Sequence, residues 1–214
     1  MRKKTLIGSF VLIACSLTLW SDAIPPPNGT YSTEAASISS TTPPTSAATR
    51  PVPAPREPAP GSLTYLDFKN GFRDVTFGDP PTSDMVLKED AGDAKYYIRP
   101  RDDLSLDGAQ LQSIAYGYYK GRCKWLVLAT KGLVNSHAIL EVVRQTYGPG
   151  YQGQGNPYIQ QFVWFGRRVS GSYSENSVTS DAYMVLASVP MTIEEKADEH
   201  ANAQKGPPIA NGQQ

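Results

Sequence analysis

Cys123 and His137 are the one nucleophile–base combination in the chain worth naming. Thiol catalysis needs a thiolate beside an imidazole, with a third group to orient the ring. Cys123 opens a strand-like run, and His137 falls in the first turn of a predicted helix, so a fold could bring them together. The positive end of that helix disfavours a protonated His137. The plainer reading is a packed cysteine, which behaves as a small buried hydrophobe, and a surface histidine. The second histidine, His200, lies in a polar C-terminal helix. A small thiol hydrolase built on Cys123 and His137 is therefore the alternative reading, and a non-enzymatic protein is the leading one.

Two motifs imitate ligand loops. Asp103-x-Ser105-x-Asp107-Gly108 begins like a calcium loop, which must close with a bidentate Glu at its twelfth position. Ile114 stands there, so the sequence predicts an Asp-Gly turn into the next strand and no metal site. Gly148-x-Gly150-x-x-Gly153 matches a dinucleotide fingerprint in letters only. That mechanism needs the glycines between a strand and a helix N-terminus, whereas these follow a helix and include Pro149. They predict a flexible loop at a binding edge and no cofactor. The acid pairs Asp102-Asp103 and Glu194-Glu195 fall in a turn and a solvated helix, where neighbouring carboxylates are surface charge.

A third cluster gathers aromatics and bases around one hairpin: Tyr116, Tyr118, Tyr119, Lys120, Arg122, Lys124 and Trp125. Flat rings on a sheet stack on sugars or peptides. Tyrosine and tryptophan are also favoured strand formers, and alternate ones must face a core. Tyr116, Tyr118, Tyr119, Lys120 and Arg122 are the candidate ligand-facing residues, with a glycan or small molecule as the ligand.

The elements that must position these groups are mostly strands. Phe72–Phe77 alternates and stops at Gly78. Met85–Glu89 and Lys95–Arg99 pair across Ala91-Gly92-Asp93. Leu111–Tyr119 and Cys123–Thr130 form the clearest hairpin, and the second arm is apolar on both faces, as a central strand is. Asn135 or Ser136 caps one helix, whose buried stripe is Ile139, Leu140, Val143 and Tyr147, and Gly148-Pro149 ends it. Strands follow near Tyr158–Phe165, Arg168–Tyr173 and Ala182–Ser188, with a polar turn at Glu175-Asn176-Ser177. Thr192-x-x-Glu195 reads as a capping box opening the polar helix. The fold class is α+β: an antiparallel sheet of about seven or eight short strands packed by one main helix, with the C-terminal polar helix after it.

Ahead of this domain stands a leader. Arg2, Lys3 and Lys4 precede an apolar run from Thr5 to Trp20, closing on Ser21-Asp22-Ala23: a secretory signal peptide, residues 1–23. The run is too short to span a bilayer. Residues 24–61 are rich in Pro, Ser, Thr and Ala and offer nothing to bury, which predicts a disordered, partly polyproline-II tether. Asn28-Gly29-Thr30 is a formal glycosylation sequon, read as chance. The α+β domain occupies 62–190, and 191–214 hold the polar helix and a frayed tail.

Leu12-Ile13-Ala14-Cys15 resembles the lipobox of bacterial lipoproteins. That resemblance implies a leader of 1–14, a lipid on Cys15 and an outer-membrane location. The ordinary cut after Ala23 implies a periplasmic or secreted protein instead. The series Gly71-Phe72-Arg73…Phe77-Gly78, Tyr147-Gly148-Pro149 and Trp164-Phe165-Gly166 resembles small exported bacterial α+β domains of unknown function, over roughly residues 63–190. It implies an envelope location and the fold plan, and no activity.

The chain carries 20 basic and 20 acidic side chains, and removing the leader leaves it weakly acidic. Such a chain has no electrostatic footprint for nucleic acid or anionic membrane, so a membrane enters only through a lipid anchor on Cys15. With Cys15 in the leader or lipidated, Cys123 has no partner for a disulfide, and the core rests on apolar burial. The expected function is an exported cell-envelope binding or scaffold module, whose partner is an envelope protein or a glycan.

Overall fold

The structure is a computed structural model that describes residues 56–154 and 156–204. The leader with Cys15, nearly all of the Pro-rich tether and the tail after Gln204 lie outside the described residues. Among the described residues no helix is long and apolar enough to cross a membrane.

A main antiparallel sheet of nine strands carries the domain. Its long members are β3 (Val86–Ala91), β4 (Ala94–Ile98), β6 (Ala109–Tyr119), β7 (Arg122–Thr130), β9 (Ile159–Phe165), β10 (Val169–Asn176) and β11 (Ala182–Ser188). Two-residue strands β5 (Ser105–Leu106) and β8 (Tyr151–Gln152) complete it. The order is β3-β4-β6-β7-β11-β10-β9-β8, with β5 on β6. A separate pair, β1 (Gly71–Phe72) and β2 (Val75–Thr76), lies beside it. The helices are α1 (Leu63–Lys69), α2 (Leu133–Tyr147) and α3 (Val189–Gln204).

The α+β plan expected from the sequence is the observed one, and its central hairpin is β6–β7. One face of the sheet is the core. Ile114, Tyr116 and Tyr118 of β6 share it with Leu126 and Leu128 of β7, Met184 and Leu186 of β11, Val169 and Tyr173 of β10, and Phe162 and Trp164 of β9. The strand period of two puts these residues on one side. Ile139, Leu140, Val143 and Tyr147 of α2 close over them, the stripe read from the helical period.

Several boundaries differ from the sequence reading, each for a local reason. Phe72–Phe77 is two strands around a turn, because Arg73 takes positive φ and its guanidinium donates to the Asp103 and Ser105 carbonyls (2.5 and 2.6 Å). Helix α2 begins at Leu133 behind Gly132, not at an Asn or Ser cap. Asn135 instead accepts the Gln110 N–H, and Ser136 is drawn inward. Strand β10 runs on to Asn176, whose side chain accepts the N–H groups of Val178 and Thr179 and so makes the turn. Helix α3 starts at Val189. Thr192 donates to the Ser188 carbonyl (2.8 Å), and Glu195 pairs with Lys124, so the expected capping box does not form.

Helix α1 has no counterpart in the sequence reading. Ser62 caps it by accepting the Tyr65 N–H, and Asn70 ends it with φ 43°. Leu66 is buried, and Gly61 donates to the Thr146 carbonyl on α2. Asp67 reaches the β9–β10 turn and accepts N–H groups from Arg167, Arg168 and Val169 at 2.7–3.0 Å. A side chain at residue 166 would strike that carboxylate, which explains Gly166.

Candidate functional site

Of the hairpin residues singled out as ligand-facing, the three tyrosines do not face solvent. Tyr116, Tyr118 and Tyr119 are all buried, because β6 is a central strand covered on both sides at this end. Tyr116 donates to Asp102 (2.5 Å), Tyr118 to the Met85 sulfur (3.1 Å) and Tyr119 to Asp198 of α3 (2.8 Å). Burial raises the phenol pKa of all three, and the carboxylates beside Tyr116 and Tyr119 raise it further. Lys120 and Arg122 reach solvent but are bound to α3: Lys120 to Asp198 (2.5 Å), Arg122 to Glu194 (2.6 Å). The basic tip of the hairpin is thus neutralised by the chain's own acids. Trp125 lies flat over Gly117, where an added Cβ would sit 2.1 Å from the indole, and Tyr96 leans on it.

Cys123 and His137 are not brought together. Cys123 is at the hairpin end of β7, fully buried, with its backbone bonded to Gly78 and Asp79. Ser136, next to His137, touches Thr130 at the other end of the same strand. Seven strand residues separate those ends, roughly 23 Å. Burial pushes the Cys123 thiol up to about 12, against a partial offset from the Tyr118 hydroxyl. A thiol nucleophile needs the opposite shift, so the hydrolase reading loses its geometry.

The two imitation loops take structural roles. Asp103 accepts the Ser105 N–H (2.9 Å), and Asp107-Gly108 turns β5 into β6 with positive φ at both residues. Gly148 ends α2, and its carbonyl accepts the Trp164 indole N–H (2.8 Å). A Cβ at Gly150 would meet the same indole at 2.7 Å, so the loop is seated on Trp164 by glycines that let backbone approach a ring.

The surface that stands out is the opposite end of the sheet. There the start of α2, the β10–β11 turn and the start of β9 meet. Gly132 N–H donates to Asp181 (3.1 Å), Ser136 to the Ser180 carbonyl (2.6 Å), and Ser177 N–H to the Tyr158 carbonyl (2.9 Å). This polar stitching holds five large apolar side chains outward: Leu133, Val134, Tyr158, Ile159 and Val178. Val134 is 80% exposed and Val178 78%. Single exposed apolar residues are ordinary; here five come from three segments whose backbones are bonded to one another at one end of the sheet.

Beside this apolar end lies a pocket of about 310 Å³, lined by His137, Leu140, Glu141 and Arg144 of α2 and Gln160 of β9. His137, Glu141 and Arg144 fall at i, i+4 and i+7, on one flank of the helix. Under His137 is Glu175, only 4% exposed. Its carboxylate accepts the Tyr173 hydroxyl (2.6 Å) and faces His137 Nε2 at 3.6 Å. The Ser136 carbonyl is a second acceptor for Tyr173 at 2.9 Å. Burial first, then Glu175, raises the Tyr173 phenol, which therefore stays protonated and donating. The Arg144 guanidinium stacks on Phe162 at 4.3 Å.

Sequence reasoning missed Arg144, Tyr173 and Glu175. The signal for Glu175 was present: continuing the alternation Val169, Gly171, Tyr173 by one step points it inward. Arg144, four residues after Leu140, flanks the apolar stripe of α2.

Set against known proteins, the chain matches no family model, no curated protein and no solved structure.

Proposed function

We propose that this protein is an exported binding module of the cell envelope, without enzymatic activity, which docks a protein partner through the end of the sheet where Leu133, Val134, Tyr158, Ile159 and Val178 gather. The observation that carries the reading is that set: large apolar side chains left exposed where α2, the β10–β11 turn and the start of β9 are hydrogen-bonded together. Export is supported by the basic residues Arg2, Lys3 and Lys4 before the apolar run, and tethering by the Pro-rich segment that follows. The resemblance of residues 63–190 to small exported bacterial domains implies an envelope location as well. The Cys123–His137 hydrolase and the hairpin glycan site are not carried forward, since their residues are separated or buried.

Two measurements test it in the native host. Intact mass of the mature protein starts at Ile24, or at an acylated Cys15, if it is exported; a mass that retains Met1 and the basic leader sinks that half. A photo-crosslinking residue at Val178 yields a discrete adduct, which Val134→Asp removes while the fold is kept. The same probe at Lys88, on the far edge strand, gives none. Equal background at Val178 and Lys88 sinks the docking half.

A further inference from the structure

Arg144 is a cation without an anion. Among the described residues no carboxylate lies within ion-pair distance of its guanidinium, and its Nε is shielded from water with no acceptor. A half-buried arginine ordinarily has a partner, because an unpaired donor out of water costs about 1–3 kcal/mol or more. Here the side chain is also held in place. The guanidinium carbon lies 4.3 Å from the centre of the Phe162 ring, and the side chain lines the pocket. Pre-organised guanidinium on a rigid helix is the arrangement that binds a planar anion with two parallel hydrogen bonds.

The charges around it select among anions. Glu141 stands on the rim, its carboxylate accepting the Gln145 amide (3.0 Å). Glu175 lies below, tied to Tyr173 and facing His137. Two acids so close repel a phosphate dianion more than a single carboxylate. The pocket is small, at the lower limit for a ligand site, so it accepts little more than one terminal residue. Leu140 gives that residue an apolar wall, and Gln160 an amide to bond its backbone. What precedes it in a longer ligand would run toward Leu133 and Val134, the exposed apolar residues one turn ahead of His137 on the same helix.

We propose that this pocket takes the free C-terminal carboxylate of a partner polypeptide, with Arg144 as its anion-binding group and the adjoining apolar end receiving the residues before it. The assignment rests on the docking reading above and adds the chemistry of what is docked.

The test uses a random octapeptide library displayed with free C-termini, selected against the mature protein. Selected peptides are then measured as acids and as C-terminal amides by amide-resonance titration. The expected result is enrichment of peptides whose affinity falls at least tenfold on amidation. Arg144→Gln abolishes binding, and Arg144→Lys, which keeps the charge without the fork, weakens it severalfold. If Arg144→Gln fails to fold, amidation and Arg144→Lys decide. Peptides that bind equally as amides overturn the carboxylate assignment; if Val134→Asp still releases them, the docking end survives alone. No enrichment overturns the assignment as well, and the crosslink at Val178 then judges the docking end separately. Acetate that shifts the Arg144 and Gln160 resonances as strongly as any peptide marks a site for free acids and overturns the peptide source.

Discussion

At the scale of single residues, this protein spends its reactive side chains on packing. Cys123 has the chemistry of a nucleophile and the surroundings of a valine: no exposure, a strand backbone bonded on both sides, and a thiol pushed up to about 12 by burial. Only the thiolate attacks, so at pH 8 the folded protein presents almost none. Cys123 is expected to resist a small disulfide or alkylating reagent near that pH and to react fully once denaturant unfolds the chain. The labelled mass measured against time gives the answer; complete labelling of folded protein within minutes would contradict the burial described here. The tyrosines follow the same logic. The sequence shows that Tyr116, Tyr118 and Tyr119 crowd one strand, but facing depends on what lies on each side of the strand. For Tyr119 the cover is α3, which arrives from almost eighty residues further along the chain.

At the scale of elements, what was legible is what is local. The β6–β7 hairpin and the α2 stripe follow from alternation and from the helical period, and both stand where the sequence places them. The misses have distant causes. Helix α1 is seven residues long with one buried side chain, too short for a period to be read, and it forms against α2. The break in Phe72–Phe77 is fixed by Arg73 bonding to carbonyls thirty residues away. The pocket was illegible for the same reason: His137, Arg144 and Gln160 come from a helix and a strand that only the sheet order makes neighbours. Asp67 is the clearest long-range joint. Its carboxylate takes three N–H groups of the β9–β10 turn, a hundred residues on, and so ties α1 to the sheet. Hydrogen bonds to a charged group are worth about 1.5–3 kcal/mol, and the turn is partly exposed, so Asp67→Ala should cost about 2 kcal/mol. Thermal unfolding would show this as a midpoint lowered by about 5 °C. A midpoint within a degree of the parent would mean that water replaces Asp67 without loss.

At the scale of the whole molecule, helices close one side and one end of the sheet, and the other end keeps large apolar side chains exposed. Helix α2 closes the core face, and α3 clasps the hairpin end through Arg122–Glu194, Lys120–Asp198 and Lys124–Glu195. The closed core contains an unusual number of ionisable groups that must stay neutral. Cys123 and Tyr147 are pushed up to about 12 by burial, and Tyr116, Tyr118 and Tyr173 are raised by burial with neighbouring carboxylates or thiol adding to it. A group whose pKa is higher in the folded than in the unfolded chain contributes stability that is fully present below its unfolded value, here 9.0 for cysteine and 10.0 for tyrosine. That contribution is lost as the pH climbs through the folded value. For Cys123 alone it is on the order of a few kcal/mol, and the tyrosines withdraw theirs over the same range. Lys124 acts in the opposite sense. Burial lowers it to about 8, against a partial offset from Glu199, so its contribution is present above 10.5 and falls away as the pH drops through about 8. The buried acids outnumber this one base, so the net expectation is a steep alkaline transition between about pH 10 and 12. Tyrosinate absorbance and near-ultraviolet circular dichroism should change together there, because Tyr116, Tyr118, Tyr147 and Tyr173 can ionise only as the core opens. Smooth ionisation of every tyrosine near pH 10 with the aromatic dichroism intact would show that the core does not hold these phenols, and the sheet face beneath α2 would need a different account.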